Sequence, residues 1–532
     1  MQIPLNRRMG MKKRAELIFT LALLAVSIQY GYHFILFQRP SYHHIWRQTD
    51  CLSITKNYCV DNRNFFRPAM NAVGDKGGRT ISEFPIIYFT VGQLWKVFGA
   101  HEFIFRLVNL LFVFTGLFAL FKFCLEFFDD LFWAIFLPLF LFSSPILGYY
   151  ASNFLPDAPA LGLALTGGYL YWKALRTEKN KWYWLAFAVF LLAGLLKLSS
   201  MLLFVALLGI QLYRSVFMRK QNIWITRWAR LWPYPVVIGL LVAWYRYAAY
   251  YNSQNLHGVF LNGILPIWDM SPEGRSHTWD TFLTVLVPMF FNTEALRIFP
   301  VILAILIASV RYVNRFFFSL MILLIIGCAG FLLLFFQVLD VHDYYLVNLL
   351  ILIPLPLIAL LDLLKRNLPG VFAGAGFKVV AGLALLVLLY MGGIRTRLRY
   401  LPRQAYVKDS IFVPKKDIEG YTMWDNYCST YFGALETITP YLRSLGIHRD
   451  DLVYSTPDGT INVSLYLMDQ KGFSDTWTNL FPEEQRMPNV LSLGCKYLII
   501  NDTAVCSKPY LAPYLKHRIG RYKNVVIYDL IH

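Results

Sequence analysis

Asp50 closes the stretch SYHHIWRQTD (41–50), which follows an apolar run. A carboxylate flanked by Arg47, His43, His44 and Trp46 is badly placed for a plain anchor and well placed for chemistry at a membrane surface. Other ionisable residues also stand beside apolar runs: Glu83 in ISEFP, Asp157 in SNFLPDAPA, Lys197 in AGLLKLSSML and His342 in LDVHDYYL. Such groups are costly near a bilayer and by default suggest function. Each also fits a plain role. Asp50 reads equally as a solvated loop acid, and Glu83 and Asp157 as acids in the first turn of a helix, favoured by its dipole. Lys197 reads as a lysine snorkelling to the interface, and His342, with Asp340, Asp343, Tyr344 and Tyr345, as an interfacial polar cluster. As a set on one membrane face, carboxylates with a lysine and a histidine can bind a phosphate and deprotonate a hydroxyl.

Positioning those residues falls to apolar helices. The chain is 57% hydrophobic and 15% charged, well below the ~25% charged of soluble domains, which points to a polytopic membrane protein. The net charge of +18 follows topology rather than nucleic acid, since Lys and Arg gather between apolar runs without a basic-aromatic platform. The first run spans Ala15 to Phe37 behind NRRMGMKKR. A cleaved signal peptide is the alternative there, but the run continues past AVS and favours a retained anchor. Further runs lie near 103–123, 131–150, 157–175, 183–197, 199–213, 231–251, 296–310, 316–338, 345–363 and 377–394. Each is read as crossing the ~30 Å of hydrocarbon, giving about eleven spans.

With the N-terminus cytoplasmic, the inner loops hold Lys173, Arg176, Lys179 and Lys181, then Arg214, Arg219, Lys220, Arg227 and Arg230, then Arg311 and Arg315, then Lys365 and Arg366. The short outer turns at 151–156 and 339–344 hold none, which is the positive-inside pattern. The expected division is a transmembrane part, 1–394, with long outer loops at 38–102 and 252–295, and an extracytoplasmic domain, 395–532. In the first loop FPIIYFTVGQLWKVFG (84–99), broken by Gly92, Gln93 and Lys96, reads as interfacial rather than spanning. In the tail DLVYST, KYLIIND and NVVIYDL read as strands, with helices or turns at ETITPYLRSLG and around VSLYLMDQKG, hence a small α/β domain. Asp458, Asp469 and Asp502 there read as turn or cap residues, and the sequons at Asn462 and Asn501 as chance patterns. The seven cysteines show no metal spacing; bridges within the first loop or the tail and unpaired thiols both remain open.

The order of these features resembles the GT-C class of membrane glycosyltransferases, on the branch of the protein O-mannosyltransferases and the lipid A aminoarabinose transferase. The matching pieces are Asp50 in WRQTD, Pro85 and Tyr88 in FPIIY, and Gly99, Glu102 and Arg106 in KVFGAHEFIFRLVN (96–109). Pro156-Asp157-Ala158, Lys197-Leu198-Ser199 and His342-Asp343-Tyr344-Tyr345-Leu346 follow, so the resemblance covers most of residues 15–365. One segment departs from it: Glu83 stands where the lipid A branch has a lysine thought to contact the carrier phosphate, and Phe84 stands where its first proline would be.

The resemblance implies a GT-C-like fold and inverting transfer of a hexose or pentose from a polyprenyl-phosphate carrier to a hydroxyl of a glycan, lipid A or protein. By it Asp50 is the base. Asp157 positions the partners of Asp50 or binds a divalent metal, and without a DxD pair at the outer turns no metal is assigned. Arg47, Lys197, Arg275, His342 and Tyr345 are the expected contacts to the carrier phosphate and lipid. His43, His44, Glu83, Tyr88 and Tyr344 are expected to line the site or meet the acceptor. The expected home is a bacterial inner membrane with the C-terminal domain periplasmic. Two rivals stay open: an enzyme using a pyrophosphate-linked oligosaccharide, and a lipid-linked sugar transporter or flippase. A transporter predicts ionisable groups in mid-span and internal symmetry, and neither is evident.

Overall fold

The computed structural model describes residues 5–217, 225, 227–254, 260 and 263–531; Arg219 and Lys220, and residues 255–259 and 261–262 of the stretch 252–295 expected to be an outer loop, lie outside them. Among the described residues, five helices are long and apolar enough to cross a membrane: Glu102–Phe128, Leu198–Phe217, Arg315–Leu334, Asp343–Asn367 and Ala375–Tyr400. Two bent pairs raise the number to seven if each is one span. They are Leu131–Phe142 with Pro145–Ala151, bent by 80°, and Pro272–Phe290 with Thr293–Ala308, bent by 99°. Pro145 starts its helix behind a Ser144 cap, which explains the first break. The other apolar runs are helical but fall short of the same measure. Asn180–Leu196 has 17 residues, while Leu5–Tyr30, Asp157–Thr177 and Pro233–Ser253 are long enough but diluted by Lys, Arg, Gly and Tyr. The count of about eleven is therefore higher than length and composition support.

Helix Ile86–Phe98 ends at Gly99, whose φ of +88° suits glycine. Its 13 residues span about 20 Å at ~1.5 Å per residue, too short to cross. It packs on Ile45–Val60, the helix that carries Asp50. In the membrane body, Glu102–Phe128 meets Asp157–Thr177 where Gly116 faces Gly162. A Cβ at Gly116 would lie 2.5 Å from Gly162 Cα, so Gly116→Ala is expected to destabilise the fold by ~1–3 kcal/mol through overpacking, read as a lower thermal midpoint in detergent.

The C-terminal sheet contains β1 (Val453–Thr456), β2 (Gly472–Ser474), β3 (Tyr497–Ile500), β4 (Arg518–Tyr522) and β5 (Val525–Asp529), in the order β2-β1-β3-β5-β4. β1 pairs in parallel with β2 and β3, and β5 is antiparallel to β3 and β4. The strands expected from DLVYST, KYLIIND and NVVIYDL are β1, β3 and β5. Helices Thr439–Ser444 and Val463–Leu467 fall in the two stretches read as helix or turn. All seven cysteines are free thiols. Asn462 and Asn501 are buried, so neither sequon presents a side chain for modification. Asp458 accepts from Thr460 N at 2.9 Å and Asp502 from Ala504 N at 3.0 Å, both local turn bonds, while Asp469 instead accepts from Arg449 at 3.1 Å.

This sheet region is bonded to residues of the stretch 38–102. Ala72 pairs with Gly472 as a parallel bridge, and Arg449 Nη1 donates to Asp61 at 2.7 Å. Asn462 Nδ2 donates to Thr49 O at 3.2 Å, one residue before Asp50. One apolar cluster runs through Ile45, Leu52 and Ile54 of the Asp50 helix, Ile87 and Val91 of its neighbour, and Val463, Leu465 and Ile499 of the C-terminal region.

Candidate active site

Asp50 projects from the first half of Ile45–Val60 and is 3% exposed. Its Oδ1 has no hydrogen-bond partner. Burial, opposed by Arg47 and reinforced by Glu83, pushes its carboxyl up to about 7. A carboxylate poised near neutral pH and left without a partner is what a general base requires.

Three residues earlier on the same helix, Arg47 Nη2 donates to both carboxylate oxygens of Glu83 at 2.7 Å and to Ser82 Oγ at 3.0 Å. Burial alone would raise the Glu83 carboxyl, but Arg47 and then Lys197 outweigh it and hold it below its usual range. Tyr88 OH donates to Glu83 and lies 3.3 Å from Cys51 Sγ. Arg47 also stacks over Phe260 at 4.6 Å, and its Nη1 has no hydrogen-bond partner. The acid that replaces the expected lysine at position 83 is therefore the counter-ion of Arg47.

Lys197 caps the C-terminus of Asn180–Leu196 in extended backbone and pairs with Asp157 Oδ1 at 3.0 Å. Asp157 opens its helix directly after Pro156 and is buried. The Lys197 ammonium also lies over the rings of Tyr344 at 5.1 Å and Tyr345 at 4.7 Å. These contacts join the turn at 342–345 to the Asp157 end of the site.

A second group adjoins through His342, whose ring stacks on His44 at 5.7 Å. His44 Nε2 lies 3.1 Å and His43 Nε2 3.6 Å from Asp343 Oδ1. Tyr150 OH donates to that same oxygen, and Arg399 donates to Oδ2 at 2.7 Å. Burial, followed by His43, pushes the His44 imidazole down to about 4, so it is neutral.

Of the residues singled out in the sequence, Arg47, Glu83 and Tyr88 form one bonded group, Lys197, Asp157, Tyr344 and Tyr345 another, and His43, His44 and His342 a third. Arg275 joins none of them: it is exposed and its Nε donates to Met270 O at 3.1 Å, closing the start of its own short helix. Asp343, Tyr150 and Arg399 were missed as site residues. For Arg399 a signal existed, because Arg395, Arg397 and Arg399 flank the last apolar run at its expected outer end, against the positive-inside trend.

No protein-family profile matches the sequence, and no curated protein matches it significantly. Solved structures do match. The crystal structure of ArnT from Cupriavidus metallidurans bound to undecaprenyl phosphate superposes with a TM-score of 0.59 at 13% identity, covering 97% of this chain and 98% of that one. The apo structure of the same protein gives 0.57 at 14% identity, with 97% of each chain covered. Over nearly its whole length, then, this chain has the ArnT fold.

Proposed function

We propose that this protein is an integral membrane glycosyltransferase that moves a hexose or pentose from a polyprenyl-phosphate carrier to an acceptor hydroxyl. The observation that carries the reading is the buried Asp50, its Oδ1 unpartnered, beside the Arg47–Glu83 pair, whose carboxylate also feels the charge of Lys197, itself paired with Asp157. The shared fold supports it, since the ArnT structure holds undecaprenyl phosphate. In the proposed step Asp50 takes the proton of the acceptor hydroxyl as its oxygen bonds to the anomeric carbon. The bond from that carbon to the phosphate oxygen breaks, and polyprenyl phosphate leaves with the electron pair. Lys197, His342 and the free Nη1 of Arg47 face the growing negative charge, a stabilisation that often exceeds that of the proton transfer. Asp157 holds Lys197 in place, and helix Ile86–Phe98 lies in the interface, where it guides the prenyl chain.

With this reading goes the proposed topology: N-terminus cytoplasmic, about eleven crossings including the less apolar helices, and residues 395–532 as an outer domain of a bacterial inner-membrane protein. The test is to incubate the purified protein with radiolabelled polyprenyl-phosphate sugars and follow free polyprenyl phosphate. Release from one sugar class supports the proposal. Release from none of them overturns it. Lys197→Ala is expected to weaken carrier binding by about tenfold or more, the worth of one charge-assisted contact, while acceptor binding changes little. Titrating each ligand separately checks this, and equal losses would make Lys197 structural.

A further inference from the structure

We propose that His43, His44 and Asp343 form a binding site for one divalent transition-metal ion of the zinc type. The three ligand atoms, both Nε2 and Asp343 Oδ1, lie within 4.8 Å of one another. Zinc sits about 2.0–2.1 Å from nitrogen and oxygen ligands, so neighbouring corners of its tetrahedron are about 3.3 Å apart. The two observed separations to Oδ1, 3.1 Å and 3.6 Å, straddle that edge. Hydrogen bonding alone accounts poorly for the arrangement. One carboxylate oxygen with two lone pairs faces two imidazole nitrogens and the Tyr150 hydroxyl together.

The surroundings have the form of an outer shell around a metal ligand. Arg399, fully buried, holds Oδ2 at 2.7 Å and stacks on Tyr149 at 3.8 Å, which fixes the carboxylate and leaves Oδ1 to face the histidines. The backbone is turned to the same end. Tyr42 and His44 have φ of +54° and +57°, a left-handed conformation that non-glycine residues rarely adopt and that recurs at functional sites. Two nitrogens and one oxygen suit zinc, whereas magnesium and calcium call for oxygen alone. Coordination through Nε2 places the remaining ring proton of each histidine on Nδ1, and the fourth corner falls to water or the Tyr150 oxygen. The ion would tie the residues immediately before Ile45–Val60 to the start of Asp343–Leu352.

Tag-free protein in lipid nanodiscs, stripped with a chelator, would be loaded with ZnCl2 or MgCl2, gel-filtered and assayed for metal. Wild type is expected to retain one equivalent of zinc and no magnesium, and the His43→Ala/His44→Ala double variant to retain less than a tenth of that. Retention by wild type no greater than by the variant overturns the site. Because the variant can also lose its fold, Co2+ would be added to wild type alone. A visible tetrahedral absorption displaced by zinc supports the site, and its absence overturns it. Both readouts are independent of sugar transfer, so they stand or fall apart from the proposed reaction.

Discussion

Replacing Asp50 by asparagine is expected to lower turnover by about 10²–10⁴-fold, the usual contribution of a positioned general base, while leaving insertion and fold intact. The amide keeps the volume of the carboxyl and removes a charge that burial already disfavours. Because the carboxyl rises to about 7 in the folded protein, it is protonated below that pH and ionised above it. Two pH effects of opposite sign follow. In the wild type, kcat/KM is expected to climb as pH rises through about 7, as the base becomes available. Stability should instead fall over the interval between the ordinary aspartate range and pH 7, since there the folded state binds the proton that the unfolded chain has lost. Asp50→Asn should therefore flatten this part of the stability profile and be the more stable protein at pH 8. Near-normal turnover in the variant would remove Asp50 from the role of base.

The second large effect is expected at Arg47. Arg47→Met leaves Glu83 buried without its counter-ion, and breaking a buried pair in this way costs ~3–5 kcal/mol. Arg47→Met/Glu83→Gln should recover most of that stability, because neither charge is then left alone, so the cycle separates pairing from function. If Arg47 also contacts the carrier phosphate, carrier affinity stays low in the double variant although its thermal midpoint recovers. Recovery of both would make the pair purely structural.

What the sequence made legible was local. Apolar runs marked the helices, and the short strands rich in Val, Ile and Tyr marked β1, β3 and β5. Two strands escaped: β2 is three residues long, and β4, Arg-Ile-Gly-Arg-Tyr, is a largely exposed edge strand without apolar alternation. The span count of about eleven rests on more helices than the five to seven that pass on length and composition among the described residues, because Lys, Arg, Gly and Tyr dilute the others. Within the site, the chemically active types near the membrane were visible one by one, but their partners were not. Glu83 looked like a defect in a phosphate grip until Arg47, 36 residues away, was seen to hold it. Asp343 looked like one acid in an interfacial cluster because its partner Arg399 lies 56 residues on, at the end of another helix. Pairings of that span leave no periodicity to read.

The bonds that residues 38–102 make with distant parts of the chain also bear on the order in which the molecule can assemble. Asn462 reaches Thr49 across 413 positions, Arg449 reaches Asp61 across 388, and His44 reaches Asp343 across 299. Contacts so distant along the chain close late, after the cost of joining remote segments has been met. During synthesis the helix bearing Asp50 emerges among the first elements and then waits for nearly the whole polypeptide before its neighbours exist. A chain stopped before Arg449 would have its apolar helices but lack the partners that Asp61 and Thr49 meet in the C-terminal region. Full packing of the helix that carries Asp50 is thus coupled to synthesis of the C-terminal region.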